Sequence, residues 1–204
     1  MNSLRPLFLV SLFLSLVSAA TAYDREIVER CASEASLVDS IYCAQRASED
    51  YDNEDATDEG DWLRKTGVSP MDDSPTVHLH VLSEEPFEGW RKDRVGALFL
   101  RCVENKTSAY VFTGMPAEPE RGRYNKASVQ LRYDKEKPRR LVMTQGTDRK
   151  TLFFPDPVAE IKRMMKHDEM LFRFTPFSAG KTSARFKLTG LEKAVQPLRE
   201  ACHW

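Results

Sequence analysis

Apolar and polar positions change their rhythm three times along the chain. Residues 7–17 form one apolar run, Leu-Phe-Leu-Val-Ser-Leu-Phe-Leu-Ser-Leu-Val, broken only by two serines. Over residues 24–48 the apolar positions Ile27, Cys31, Leu37, Val38 and Ile41 recur at spacings of three and four, which predicts helix. Beyond Trp62 the period falls to two. Val77, Leu79 and Val81 share one face of a predicted strand, and His78 and His80 share the other. Val95–Val103 is denser and reads as a central strand carrying Cys102 into the core. Further strands are predicted at 108–113, 128–133, 141–144, 151–154, 170–174 and 184–188. Asn105-Lys106, Gly114-Met115-Pro116, Lys135–Pro138 and the surroundings of Gly180 supply turns.

Two helical stretches interrupt or close this pattern. Pro157 starts one, with Val158, Ile161, Met164 and Met165 as its apolar stripe. Gly190 introduces the other, through Leu191, Ala194, Val195, Leu198 and Cys202, where Pro197 kinks or restarts the helix. Short strands joined by polar turns favour an antiparallel sheet over alternating βαβ units. The predicted fold is α+β: an antiparallel β-rich sheet or sandwich core with a C-terminal helix and a small N-terminal disulfide-stapled helical hairpin. The predicted boundaries are a leader at 1–22, a helical cysteine hairpin at 23–48, an acidic linker at 49–61 and a β-rich domain at 62–204.

The leader reads as a secretory signal: Arg5, the apolar run, then Ala20-Thr21-Ala22 as a small-x-small cleavage site. The run is shorter than the ~20 apolar residues a spanning helix needs, so a retained anchor is the lesser reading. Export places Cys31, Cys43, Cys102 and Cys202 in an oxidising compartment, where an even count reads as structural disulfides. Four cysteines allow three pairings, and spacing does not choose among them. In one straight helix Cys31 and Cys43 would stand ~18 Å apart, beyond the ~4.4–6.8 Å that a bridge tolerates. Either the chain turns near Ala32–Ser36, giving the stapled hairpin we expect, or these cysteines pair elsewhere.

Charge alters the picture by its location. The chain has 204 residues with 30 Lys/Arg against 31 Asp/Glu, a balance that argues against a generic nucleic-acid binder. Eight of the thirteen residues 49–61 are acidic, whereas from Trp62 onward Lys and Arg outnumber Asp and Glu by 26 to 18. The β-rich part is thus mildly basic and suits an acidic envelope or partner surface. Asp50, Asp52, Glu54 and Asp61 imitate an EF-hand, but Asp55 stands where the loop needs Gly and Asp61 where it needs Glu.

Candidate chemistry is sparse. His78 and His80 on one strand face suit zinc or copper only with a third ligand, and His167 and His203 lie far along the chain. Asp72 and Asp73 in Ser69-Pro-Met-Asp-Asp-Ser74 suit acid/base work on paper, yet Asx-type turns are the commoner use of such a string. Gly180-Lys181-Thr182 lacks the upstream glycine of a phosphate loop, since Thr175 occupies its place. The basic run Lys135–Arg140 reads as a solvated hairpin tip before it reads as an acidic-lipid or glycan contact. Asn105-Lys106-Thr107 has the form of a glycosylation acceptor, meaningful only in a eukaryotic source. Trp90 and Tyr124 are the aromatics that a glycan-binding reading would use.

Several short motifs, in order, carry a resemblance. Cys31…Cys43 precedes Trp62-x₆-Ser69-Pro-Met-Asp-Asp-Ser74-x₂-Val77. Cys102-x-x-Asn105-x-Thr107 follows, then Val129-x-Leu131-Arg132-Tyr133-Asp134, Phe186-x-Leu188-x-Gly190-Leu191, and Cys202-x-Trp204. Together they make the chain resemble the type VI secretion-associated VasI (TagO) proteins of Gram-negative bacteria. It departs from that pattern after Cys43, where Ala44-Gln45 replaces a usual Tyr-Asp, and at Leu141–Met143, which has no Trp. The resemblance implies a periplasmic accessory protein; with no catalytic constellation among the residues either, we expect a protein that is not an enzyme and has no cofactor or metal. It implies a protein component of the secretion apparatus or cell envelope as partner, and the disulfides Cys31–Cys43 and Cys102–Cys202. An envelope ligand- or glycan-binding protein is the alternative, and an envelope hydrolase using Asp72, Asp73 and the histidines a more distant one.

Overall fold

The computed structural model describes residues 60–88 and 95–204. The predicted leader, the hairpin with Cys31 and Cys43, the acidic linker up to Glu59 with Asp50, Asp52 and Glu54, and Trp90 lie outside the described residues. The described strands are β1 (Leu63–Val68), β2 (Pro75–Pro86), β3 (Val95–Val103), β4 (Lys106–Phe112), β5 (Lys126–Tyr133), β6 (Arg139–Gln145), β7 (Thr151–Phe153), β8 (Glu169–Phe174) and β9 (Thr182–Lys187). Helix α1 (Pro157–Met164) lies between β7 and β8, and α2 (Leu191–Ala194) and α3 (Gln196–Ala201) follow β9. Pro197 restarts the C-terminal helix, standing in the first turn of α3 directly after α2 ends.

The strands run in the order β2-β3-β4-β7-β6-β5-β8-β9, every neighbouring pair antiparallel. The last strand returns to the first through Ser83↔Phe186. Eight strands therefore close a barrel, and β1 pairs along β2 as an added strand. This corrects the sandwich expected from the sequence. Alternating inward and outward side chains look the same in both architectures; closure depends on accumulated twist and stagger, which no single strand displays. Between β3 and β4, Glu104 and Asn105 (φ 50° and 53°) form the two-residue left-handed turn that suits the twist of a hairpin.

Inward-facing side chains fill the barrel. Leu79 faces Leu100, Leu98 faces Val111, Leu131 faces Phe172 and Met170 faces Phe186, all fully buried. At one end Phe87, just past β2, turns inward and meets Phe174 edge-on at 5.2 Å. Gly96 makes room for it: a Cβ there would lie 2.4 Å from the Phe87 ring. The register of β2 slips between Leu82 and Pro86, where the Ser83 hydroxyl donates to the Glu85 carbonyl (2.8 Å) and accepts from the Gly96 amide (2.9 Å).

At the opposite end of β3, Cys102 is bonded to Cys202 (Cα–Cα 5.8 Å), a link across 100 residues. It holds α3 against β2 and β3. Trp204 completes this end: its indole donates to Thr107 Oγ1 (2.8 Å), and Lys162 and Arg199 lie over its ring at 5.3 and 5.5 Å.

Candidate functional site

The residues that the sequence offers for chemistry do not converge. Asp72 accepts from the Ser74 amide (3.1 Å) and hydroxyl (2.6 Å), and Met71 donates its amide to Ser69 Oγ (3.1 Å), so Ser69–Ser74 is the turn joining β1 to β2. The Ser74 contacts hold the Asp72 carboxyl below its usual range. Lys135–Pro138 forms the tip of the β5–β6 hairpin, with Arg139 and Arg140 the first residues of β6; Gly180 and Lys181 lead into β9, which Thr182 begins, and Asn105 is part of the β3–β4 turn. His78 and His80 stand on the outer wall, His167 lies behind β5, and His203 is exposed near the C-terminus. Among the described residues, no three His, Cys, Asp or Glu side chains gather with the geometry of a metal site.

One polar network ties α1 to the β5–β6 hairpin. Asp134 directly follows β5 in a left-handed conformation (φ 44°). Its Oδ1 accepts from the amides of Asp168 (3.1 Å) and Glu169 (3.0 Å), and its Oδ2 meets His167 Nδ1 at 2.8 Å. Burial raises the Asp134 carboxyl, but the His167 contact and the two amides outweigh it and leave the group below its usual range. Beside this pair Tyr133 stacks on His167 at 5.0 Å and donates its hydroxyl to the buried Glu160 (2.5 Å), which Arg139 also reaches. Burial first, and the Glu160 charge second, push the Tyr133 phenol far upward, so it stays protonated as a donor. The other nitrogen of His167 faces Glu136 (3.7 Å), whose carboxylate pairs with Arg163 (2.7 Å). The imidazole, set between two carboxylates, ties the segment after α1 to the β5–β6 hairpin.

Two features occupy the outer wall. Across β2, β3, β4 and β7, the rings of His80, Phe99, Tyr110 and Phe153 form a ladder with centroids 5.3, 5.1 and 4.9 Å apart. The first two contacts are face to face, so these rings spend their faces on one another and knit the strands rather than offer a sugar platform. Arg101 lies over Tyr110 at 5.5 Å. Burial, followed by the charges of Arg101 and Lys65, lowers the pKa of neighbouring His78.

Around the barrel, β5, β6, β8 and β9 present arginines. The register aligns Arg140, Gln130 and Arg173 in one row, and Arg132, Leu171 and Arg185 in the next. Two open clefts mark this wall. One, of ≈ 580 Å³, is lined by Glu120, Arg121, Arg123, Arg140 and Val142. The other, of ≈ 570 Å³, has Arg132, Lys135 and Arg185 around Leu171, with Asp134 and Glu169 beside them. Neither contains Asp72, Asp73 or a histidine. Tyr124, 80% exposed, follows Arg123 next to the first cleft. Sequence reasoning missed this wall because its arginines come from four strands, separated by up to 53 positions (Arg132 to Arg185), and only the register assembles them.

No curated protein matches the chain. Among solved structures it is similar to invasion associated protein b from Bartonella henselae, with 11% identity over 72% of this chain and 96% of that one, at a TM-score of 0.44. The family model described as type VI secretion system VasI, EvfG, VC_A0118 matches residues 73–204. That span begins at the β1–β2 turn and takes in all eight barrel strands, the α1 network, the Cys102–Cys202 bond and the terminal Trp204. The chain belongs to the VasI family of type VI secretion system proteins.

Proposed function

We propose that this protein is a non-enzymatic accessory factor of a type VI secretion system, exported by its leader to the periplasm, where it binds a protein of the apparatus or the envelope. Family membership supports the pathway. The observation that carries the binding role is the filled barrel: Leu79, Leu98, Leu100, Leu131, Phe172 and Phe186 occupy its interior. A small barrel packed in this way does its work on its outer wall and loops. Among the described residues no helix is long and apolar enough to cross a membrane.

Deletion of the gene in a strain whose secretion system is active tests the role. Reduced secretion or killing of competitors, restored by the gene in trans, is expected; unchanged secretion overturns the reading. Fractionation of an epitope-tagged copy tests export, and recovery of the uncleaved chain in the cytoplasm overturns that part.

A further inference from the structure

We infer that the arginine wall of β5, β6, β8 and β9 is a docking surface for an extended acidic segment of a protein partner. The inference rests on the proposed binding role and gives it a place and a chemistry.

Arg140 and Arg173 flank Gln130 in one row, and Arg132 and Arg185 flank Leu171 in the next. Strands ~4.8 Å apart, with same-face residues ~6.6 Å apart along each, put successive guanidinium-bearing positions ~8–10 Å from one another. An extended peptide places alternate side chains on one face every ~6.6–7 Å, a repeat that long arginine side chains can follow.

The charges on this wall are weakly committed. Arg140 pairs with Glu120 at 2.8 Å and donates its Nε to Ser128 Oγ at 2.6 Å, and Arg185 reaches Glu85 at 3.4 Å and Glu169 at 3.5 Å, with both arginines about half exposed or more. Exposed pairs of this kind are worth little and exchange readily for a better carboxylate. Arg173 is exposed and Arg132 makes no ion pair among the described residues, where its buried Nε also lacks a hydrogen-bond acceptor. At the border of the wall, Lys187 already holds a carboxylate, Asp61, at 3.2 Å.

Apolar floors at Val142 and Leu171, set among the arginines, favour a peptide over a lipid surface. A convex barrel wall touches a flat bilayer along a narrow band, whereas a strand-like peptide lies along it and fills both clefts. Planar guanidinium groups also match carboxylates in a bidentate manner.

The test uses the full mature chain and a fluorescent peptide of alternating Glu and Thr, read by anisotropy. Binding at low salt that weakens as salt rises is expected. The variant Arg132→Gln/Arg173→Gln is expected to bind at least ~10-fold more weakly, with an unchanged melting temperature because both changes lie on the outer wall. A control variant, Lys65→Gln/Lys166→Gln, removes the same charge elsewhere and is expected to bind like the parent. Equal loss in both variants means net charge alone, and overturns the inference. Binding to phosphatidylglycerol vesicles without binding to the peptide overturns it in favour of a membrane. If gene deletion impairs secretion but the Arg132→Gln/Arg173→Gln variant restores it fully, the wall is refuted while the broader role stands.

Discussion

Replacing Gly96 by Ala tests the packing at the Phe87 end of the barrel. The added methyl would stand 2.4 Å from Phe87 Cε2, 3.1 Å from Cδ2 and 3.3 Å from Phe186 Cζ. Ordinary carbon contacts are ~3.5–4.0 Å, so the ring must retreat by more than ~1 Å. It has nowhere to go: Phe87 is fully buried, with Phe174 at 5.2 Å, Phe172 at 6.1 Å and Phe186 at 6.5 Å between centroids. Overpacking of this kind costs ~1–3 kcal/mol, which in a chain of this size lowers the melting temperature by several degrees at ~2–4 °C per kcal/mol. Phe87→Leu alone removes buried ring volume and costs ~1–2 kcal/mol. In the double variant the smaller side chain vacates the space that the methyl needs, so the combined loss falls short of the sum by ~1 kcal/mol or more. Urea unfolding followed by tryptophan fluorescence measures all three variants. A Gly96→Ala protein as stable as the parent, or strictly additive losses in the double variant, would refute the packing argument.

Three further outcomes are expected. Cys102→Ala/Cys202→Ala releases a link across 100 residues and should lose up to ~4.7 kcal/mol on the chain-entropy account; a loss below ~1 kcal/mol in urea would show that the bond restrains little. Glu160→Ala strips the carboxylate from Tyr133 and Arg139. Discounted for the 30% exposure of the Arg139 side chain, this should cost ~2–3 kcal/mol, part of it recovered by Arg139→Met in the same chain. The pKa of His78 is depressed below 6.5 in the fold, so His78 contributes stability above pH 6.5 that is lost as pH falls through the lower folded value. Titration of its ring proton by NMR should show the depression, and His78→Gln should flatten the acid limb of the stability curve. A ring that titrates at or above 6.5 sinks that account.

The strands were legible in the sequence wherever one face was apolar. Val77-Leu79-Val81, Val129-Leu131-Tyr133 and Met170-Phe172-Phe174 all point inward, as their period of two predicts. Strand β1 was not legible: its residues Leu-Arg-Lys-Thr-Gly-Val show no alternation, because it pairs beside the barrel and leaves both faces partly wet. Closure was hidden for a different reason. It depends on strands far apart in sequence, β2 and β9, meeting at Ser83↔Phe186, residues more than a hundred positions apart. The site followed the same division. The turn at Ser69–Ser74 is written in its own residues, since Asp72 bonds Ser74 two positions on. Partners such as Asp134 and His167, or Tyr133 and Glu160, lie 33 and 27 positions apart and meet only because α1 folds back beneath the hairpin.

The joint between β2 and β9 has a consequence for the order of events during synthesis. Strand β2 emerges early and β1 covers its edge from Pro75 to His80, yet β9, which meets it at Ser83 and closes the barrel, ends at Lys187, and Cys202 follows fifteen positions later. A chain threading out N-terminus first therefore spends nearly its whole emergence with an open sheet. The Cys102 thiol waits throughout for a partner that arrives last. Until β9 docks, such a chain is exposed to edge-to-edge mispairing. The open sheet and the Cys102 thiol stay exposed to their counterparts on other chains until β9 and Cys202 are in place.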